Sequence, residues 1–259
     1  MPDVRSHKLK VLFAFAVIYI IWGSTYIGIL YAIETIPPWS LTAIRFIIAG
    51  TCMTLIAMAK REGLPTRYEM KIAVSSGAFL VAANGFVCVM EKWVPSGIAA
   101  VVIGAMPIWI MLLGWVLFGA ERPAVRKIVG ACIGLVGIGM IAAGDAHVDT
   151  TGIFGQWAPL VLCISSWLWA TGTLIQRKAP SVKYGISFLS CQMASGAATA
   201  SLLSLIFENP LSYDWSLVSS NSWWALAYLI TFGSLVGFTA YSWLSRNVEP
   251  HLVSSYALV

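Results

Sequence analysis

The sequence predicts an all-α membrane protein on a ten-helix plan of two inverted five-helix repeats, with about eight complete helices and the start of a ninth present. Three observations predict it. Apolar runs of about 20 residues, the length that crosses a bilayer as helix, recur from end to end. Lys and Arg fall almost entirely on alternate loops. A polar motif inside the first run returns, in altered form, inside the sixth.

The complete spans run over about Leu9–Ile33, Trp39–Ala59, Met70–Met90, Ser96–Gly119, Val125–Ala143, Ile153–Ile175, Tyr184–Phe207 and Ser222–Leu244. A ninth begins after Pro250, and the sequence stops at Val259. Nine residues rise only about 14 Å as helix, short of about 30 Å of hydrocarbon. A fragment of a longer protein is therefore expected. The chain is 59% hydrophobic and 10% charged, against about 25% charged in an ordinary soluble domain. No water-soluble domain fits between the runs, which excludes a nucleotide-hydrolysing domain on this chain. The basic N-terminus followed by an apolar run resembles a signal peptide, but the run is too long and ends without a cleavage pattern. It reads as a retained first helix.

Charge placement orients the spans. With the N-terminus cytoplasmic, the inner segments hold 14 of the 16 Lys and Arg residues. Only Lys92 lies outside, and Arg45 lies within a span. This is the positive-inside pattern, and it predicts a multi-pass membrane protein with its N-terminus cytoplasmic. It also accounts for the net charge of +5 without nucleic acid. Trp39, Trp93, Trp157, Trp215, Trp223 and Trp224 fall near the predicted outer interface, where an aromatic belt belongs.

The internal echo sets the halves. Trp22-Gly23-Ser24-Thr25-Tyr26 is matched by Trp169-Ala170-Thr171-Gly172-Thr173 at an offset of 147, and the same offset carries Arg45-Phe46 onto Gln192-Met193. Trp93-Val94-Pro95 corresponds to Val248-Glu249-Pro250 at an offset of 155. An odd number of crossings per unit sends the second unit in from the opposite side. Residues 1–143 and 152–259 are then two inverted repeats, a plan secondary transporters use, with the site between them near mid-membrane.

Catalysis finds no support. His7, His147 and His251 lie in loops or at span edges, and no Asp or Glu lies at mid-membrane. A Ser-His pair, paired carboxylates, a phosphate-binding glycine loop and metal-ligand spacing are all missing, so an enzyme is not expected and no cofactor or metal is called for. The five cysteines lie inside apolar runs without a Cys-x-x-Cys pair and read as small buried residues.

The candidate site residues are polar or aromatic groups at depths where water is scarce. On a helix, Trp22, Thr25, Tyr26 and Ile29 share one face. The motif around Trp22 lines a cavity, while Gly23 and Gly28 serve close packing. Arg45 has two readings: a structural clamp within the first half, or a group that binds an anion. Asn84, Cys88 and Glu91 share a face of the third span. Glu91 is either a solvated rim charge or a carboxylate that meets an amino group or carries a proton. Asn84 is either cavity lining or helix–helix glue. Pro107 permits a kink in the fourth span. Gly130, Gly134 and Gly137 form a packing face on the fifth.

These residues carry a resemblance. The stretches Tyr19–Tyr26, Ile44-Arg45-Phe46, Pro95–Ala100, Met106-Pro107, Arg246–Pro250 and Ser255–Val259 resemble the EamA branch of the drug/metabolite transporter superfamily. The resemblance implies ten helices in two inverted repeats, both termini cytoplasmic, and export of small metabolites without ATP. It also implies a central cavity. On that basis Trp22, Ser24, Thr25, Asn84, Glu91, Pro107, Trp169 and Thr171 are the expected substrate-binding residues, with Arg45 a structural intramembrane charge. The expected partners are a small-molecule substrate, such as an amino acid or a drug-like amine, the lipid bilayer, and protons as a candidate coupling ion. The competing class is a channel-like or receptor-like binding protein without alternating access.

Overall fold

The computed structural model describes residues 4–143, 152–179 and 182–253. Within them the chain forms α1 (Val4–Ile33), α2 (Pro38–Ala59), α3 (Arg67–Met90), α4 (Ser96–Ile103), α5 (Met106–Phe118), α6 (Val125–Ala143), α7 (Gly152–Gln176) and α8 (Gly185–Phe207). A short 3-10 turn at Trp215–Leu217 leads into α9 (Ser220–Tyr228), a π-helical segment (Leu229–Phe238), α10 (Thr239–Asn247) and α11 (Pro250–Val253). Seven helices among the described residues are long and apolar enough to cross a membrane. Counting α4–α5 and α9–α10 as one helix each, they match the expected spans one, two, three, four, six, seven and eight. The fifth expected span is the helix α6. His147 and the stretch Ser255–Val259 lie outside the described residues.

Local chemistry fixes the ends. Pro38 starts α2, where its missing N–H costs nothing and its φ is already helical. Thr66 and Glu69 form a reciprocal capping box at the start of α3, with Oγ1 accepting from Glu69 N at 3.2 Å and the carboxylate from Thr66 N at 2.7 Å. Gly119, at φ 70°, ends α5 in the left-handed conformation. The fourth span breaks at Gly104–Ala105, just before Pro107, which occupies the first turn of α5. The proline that permits a kink thus begins a second helix.

The core is four helices, with α2 antiparallel to α8 and α3 antiparallel to α7 but parallel to α8. α2 lies along α8, and α3 packs against both α7 and α8. Backbones touch there: a Cβ added at Gly77 on α3 would stand 2.0 Å from the Gln192 carbonyl oxygen on α8. We call the end of the bundle where α1 begins the proximal face and the end where it finishes the distal face.

The α2–α8 pair is closed by two carboxylates. Glu208, following α8, accepts from the backbone N–H groups of Trp39 and Ser40, both at 2.7 Å, and from Ser40 Oγ at 2.9 Å. Glu62, following α2, accepts from Ile186 N at 3.1 Å and Ser187 N at 2.9 Å. Each helix is followed by the charge that satisfies the other's free N–H groups and its positive dipole end. Replacing either carboxylate by alanine is expected to cost about 1–2 kcal/mol, and the pair together about twice that. Thermal unfolding of the single and double variants checks this.

Two packing expectations are corrected. Trp39, expected at the interface, is buried and sits in the notch left by Gly85, where an added Cβ would stand 2.1 Å from the ring. It packs edge-on to Phe86, with centroids 5.1 Å apart. The helix beginning at Pro38 carries it inward, against α3. On α6, a Cβ at Gly130 or Gly137 meets nothing within 4 Å, and one at Gly134 meets only Ile108 Cδ1, at 3.7 Å. The face expected to pack closely is largely open among the described residues, because α6 lies at the rim, beside α4. Of the motif glycines, a Cβ added at Gly28 would stand 3.2 Å from Leu229 and Tyr228, whereas one at Gly23 meets nothing within 4 Å.

Candidate functional site

At the centre, Trp22 of α1 and Trp169 of α7 meet edge to face, with centroids 5.4 Å apart. Phe238 lies 5.7 Å from both rings, and Tyr241 lies 5.0 Å from Trp22 and 5.4 Å from Trp169. The indole N–H groups are spent within the protein. Trp22 Nε1 donates to the Gly233 carbonyl at 3.1 Å and Trp169 Nε1 to the Tyr241 hydroxyl at 3.0 Å. The wider π-helical turn accommodates this cluster. Its glycines are required by it: a Cβ at Gly237 would stand 2.3 Å from Trp22 Nε1, and one at Gly233 would stand 2.7 Å from the Arg45 guanidinium.

A cavity of about 110 Å³ opens beside these rings. Its wall includes Trp22, Gly23, Thr25, Tyr26 and Ile29 from α1, Arg45 from α2, and Ala83, Asn84 and Val87 from α3. Ala100 and Ile103 of α4, Met106 of α5, Ser165 and Trp169 of α7, and Phe238 complete it. The face of α1 expected from periodicity, Trp22–Thr25–Tyr26–Ile29, is the face that meets the cavity. Ile29 and Val87 lie close to the distal ends of α1 and α3, so the cavity extends from the aromatic cluster toward the distal face.

On the proximal side the bundle is shut by buried polar groups. Thr173 bonds the Tyr241 hydroxyl. Gln192 Nε2 donates to Ser76 Oγ at 2.8 Å and to Gln176 Oε1 at 2.7 Å, and Gln176 Nε2 donates to Ser245 Oγ. Arg177 donates to the Ser245 carbonyl at 3.1 Å and the Val248 carbonyl at 2.6 Å. α3, α7, α8 and α10 are thereby tied across one level.

Arg45 is 2% exposed. Its Nε donates to Ser234 Oγ at 2.6 Å, one terminal nitrogen donates to Asn84 Oδ1 at 3.2 Å, and the guanidinium lies 5.2 Å from the Phe46 ring centre. The clamp expected within the first half thus reaches further, tying α2 to α3 and to the π-helical segment. Asn84 serves both readings proposed for it, since it lines the cavity and bonds Arg45.

Glu91, one residue beyond α3, is 5% exposed, and neither carboxyl oxygen has a hydrogen-bond partner among the described residues. It is not a solvated rim charge. Burial pushes its carboxyl up to about 9. Tyr26 and Cys88 are the groups within charge-interaction range of it. Between the ordinary glutamate range and pH 9, the folded chain then holds a proton that the unfolded chain has released, so stability falls as pH rises through that window. Glu91→Gln removes the penalty. At pH 8 the variant is expected to melt at least about 3 °C above the parent, with the gap closing toward pH 4, as read by thermal unfolding across pH.

The remaining candidates stand off the cavity wall. Ser24 bonds the carbonyls of Ile20 and Ile21 and the Tyr228 hydroxyl at 2.6 Å, which turns it toward α9. Thr171 is half-buried on α7, and it is Thr173 that bonds Tyr241. Pro107 acts through the break before α5. Sequence reasoning missed Phe238, Tyr241, Gly233 and Ser234, all on the eighth span. The available signal was the Gly233–Gly237 spacing, with Ser234 between.

Apolar spans around a small aromatic and polar cavity, with a layer of bonded polar side chains on one side of it, fit the class of membrane transport proteins. The chain belongs to the EamA-like transporter family, whose pattern matches residues 9–143. It is similar to the inner membrane transporter YedA of Escherichia coli strain K12, at 34% identity covering 99% of this chain and 81% of that one. Protein PagO of Salmonella typhimurium is 24% identical over 97% of this chain and 82% of its own, and transporter YvbV of Bacillus subtilis is 22% identical over 100% and 82%. A solved crystal structure shares the fold at a TM-score of 0.69, with 20% identity, 96% of this chain and 85% of that chain covered.

Proposed function

We propose that this protein is a secondary-active or facilitative exporter of small metabolites, such as amino acids or drug-like amines, working by alternating access. The cavity and its one-sided closure carry the reading. A wall with Trp22, Thr25, Asn84 and Trp169 gives a ligand flat apolar surfaces and a few hydrogen-bonding groups, the usual make-up of a small-molecule site. Ser24, Thr171 and Pro107 then act on that wall indirectly, and Glu91 is the group that would carry a proton in a coupled cycle. The reciprocal Glu62 and Glu208 caps and the Trp22–Trp169 pair support two inverted repeats, 1–143 and 152–259, on a ten-helix plan. In this plan the proximal face is cytoplasmic, in the inner membrane of a prokaryote.

Alternating access requires the proximal polar layer to part while the distal side closes. The test uses a chain freed of its five native cysteines, carrying both Gly23→Cys on the cavity wall and Ser242→Cys in the closed half. Impermeant maleimide is applied from each side of sealed vesicles. The reading expects position 23 to label from the distal side and position 242 from the proximal side, never both at once. Simultaneous labelling of both positions would sink it in favour of a channel.

A further inference from the structure

Arg45 is a buried cation with no counter-ion among the described residues. No ion pair to it exists among the described residues, and its partners there, Ser234 Oγ and Asn84 Oδ1, are neutral. Arginine stays charged in proteins, and two neutral acceptors leave most of its five donors unused. A charge at this depth is costly until an opposite charge or water reaches it. It lines the cavity, so water or a bound molecule there is what can reach it.

Most other polar groups of the wall have spent their donors within the protein. Thr25 donates to the Trp22 carbonyl at 2.7 Å, Ser165 donates to the Ala83 carbonyl at 2.8 Å, and both indole N–H groups are spent. Asn84 turns its oxygen to Arg45, and its Nδ2 has no acceptor among the described residues. Thr25 and Ser165, having given up their only protons, can only accept further bonds, so the donors left in the wall are chiefly those of Arg45 and Asn84. The buried carboxyl of Glu91 is outside the cavity wall and has no donor on either oxygen among the described residues. Left without donors in apolar surroundings, it holds its proton and offers no negative charge.

We propose that Arg45 and Asn84 form the anion subsite of the cavity, so that the transported molecule carries a carboxylate seated between them, with its apolar or aromatic body against Trp22, Trp169 and Phe238. This rests on the transporter reading and sharpens it. Molecules with a carboxylate, whether or not they also carry an amine, are substrates, and simple amines are excluded. The cavity of about 110 Å³ is smaller than the roughly 150 Å³ that accepts benzene, so a ring-bearing ligand has to widen it on entry. The Gly233 position has no side chain because one there would occupy the space of the guanidinium.

The test compares benzoate, benzamide and benzylamine on the whole chain in nanodiscs, at constant ionic strength in sodium chloride. Each is read by how far it slows maleimide labelling of Gly23→Cys on the cavity wall. Benzoate is expected to protect at a concentration about tenfold lower than either of the others, the worth of one charge-assisted bidentate contact. Arg45→Gln is expected to erase that preference. Because this change also breaks two ties and can fail to fold, Asn84→Asp is the second variant. It supplies a carboxylate beside Arg45, keeps the fold, and is expected to bring the three ligands within about twofold of one another. Equal protection by all three in the parent chain overturns the anion subsite and leaves the cavity standing. So does a benzoate preference that survives in Asn84→Asp. Protection by none of them overturns the cavity reading as well.

Discussion

Trp22→Ala and Trp169→Ala are each expected to reduce transport to background and to lower stability by about 3–5 kcal/mol, the range for removing a large aromatic side chain from a packed core. Both rings wall the cavity, and both are buried against each other, Phe238 and Tyr241. The loss of function therefore arrives with a loss of abundance, and the alanine variants alone do not separate the two. Trp22→Phe does. It keeps most of the ring but removes the donor to the Gly233 carbonyl, leaving a buried acceptor unmet, which costs about 1–3 kcal/mol. A Trp22→Phe protein at near-normal abundance with transport lowered at least about tenfold is the expected outcome, measured by uptake into proteoliposomes after normalising to protein. Full transport by both alanine variants at equal abundance would remove these rings from the site.

A comparable effect on stability is expected of Gly77→Ala. Its added methyl would overlap the Gln192 carbonyl, a backbone atom that cannot rotate away, so α3 and α8 must separate by an ångström or more. The separation also pulls Gln192 from Ser76, one position before Gly77 on the same helix. A loss of at least about 3 kcal/mol is expected, enough that little folded protein accumulates. Gly23→Ala is the control: the new methyl meets nothing within 4 Å, and the change is expected to be neutral or slightly stabilising. Fluorescence-detected size exclusion of the two variants compares them directly.

The spans were legible because hydrocarbon leaves the sequence little choice. A backbone that must satisfy its own hydrogen bonds in lipid becomes helix, and the apolar runs mark where. The inward face of α1 was legible too, since Trp22, Thr25, Tyr26 and Ile29 recur at helical spacing. What the sequence concealed was set by three-dimensional partners. Ser24 and Thr25 are adjacent hydroxyls, yet a rotation of about 100° per residue sends one to Tyr228 and the other to the cavity wall. Glu91 looked like a rim charge beside Lys92 because burial is not written in a side chain's type. The π-helical segment has no periodicity of its own to betray it, and it brought in Phe238 and Tyr241 unannounced. Arg45 was read as a clamp inside one half because its acceptor, Ser234, lies 189 positions away.

The two crossed carboxylates have a consequence for how the molecule is made. The N-terminal turn of α2 is completed by Glu208, so residues Trp39 and Ser40 leave the ribosome long before the group that satisfies them. At about 5–20 residues per second, that interval is on the order of 10–30 s. During it the second helix stands in the bilayer with bare N–H groups at one end, a marked spot that only the finished seventh span can cover. Glu62 works the other way: it is already in place when the start of α8 emerges and can receive it at once. Assembly of this protein is thus expected to be asymmetric in time even where its architecture is reciprocal in space, and a nascent chain arrested before residue 208 should hold its first helices loosely.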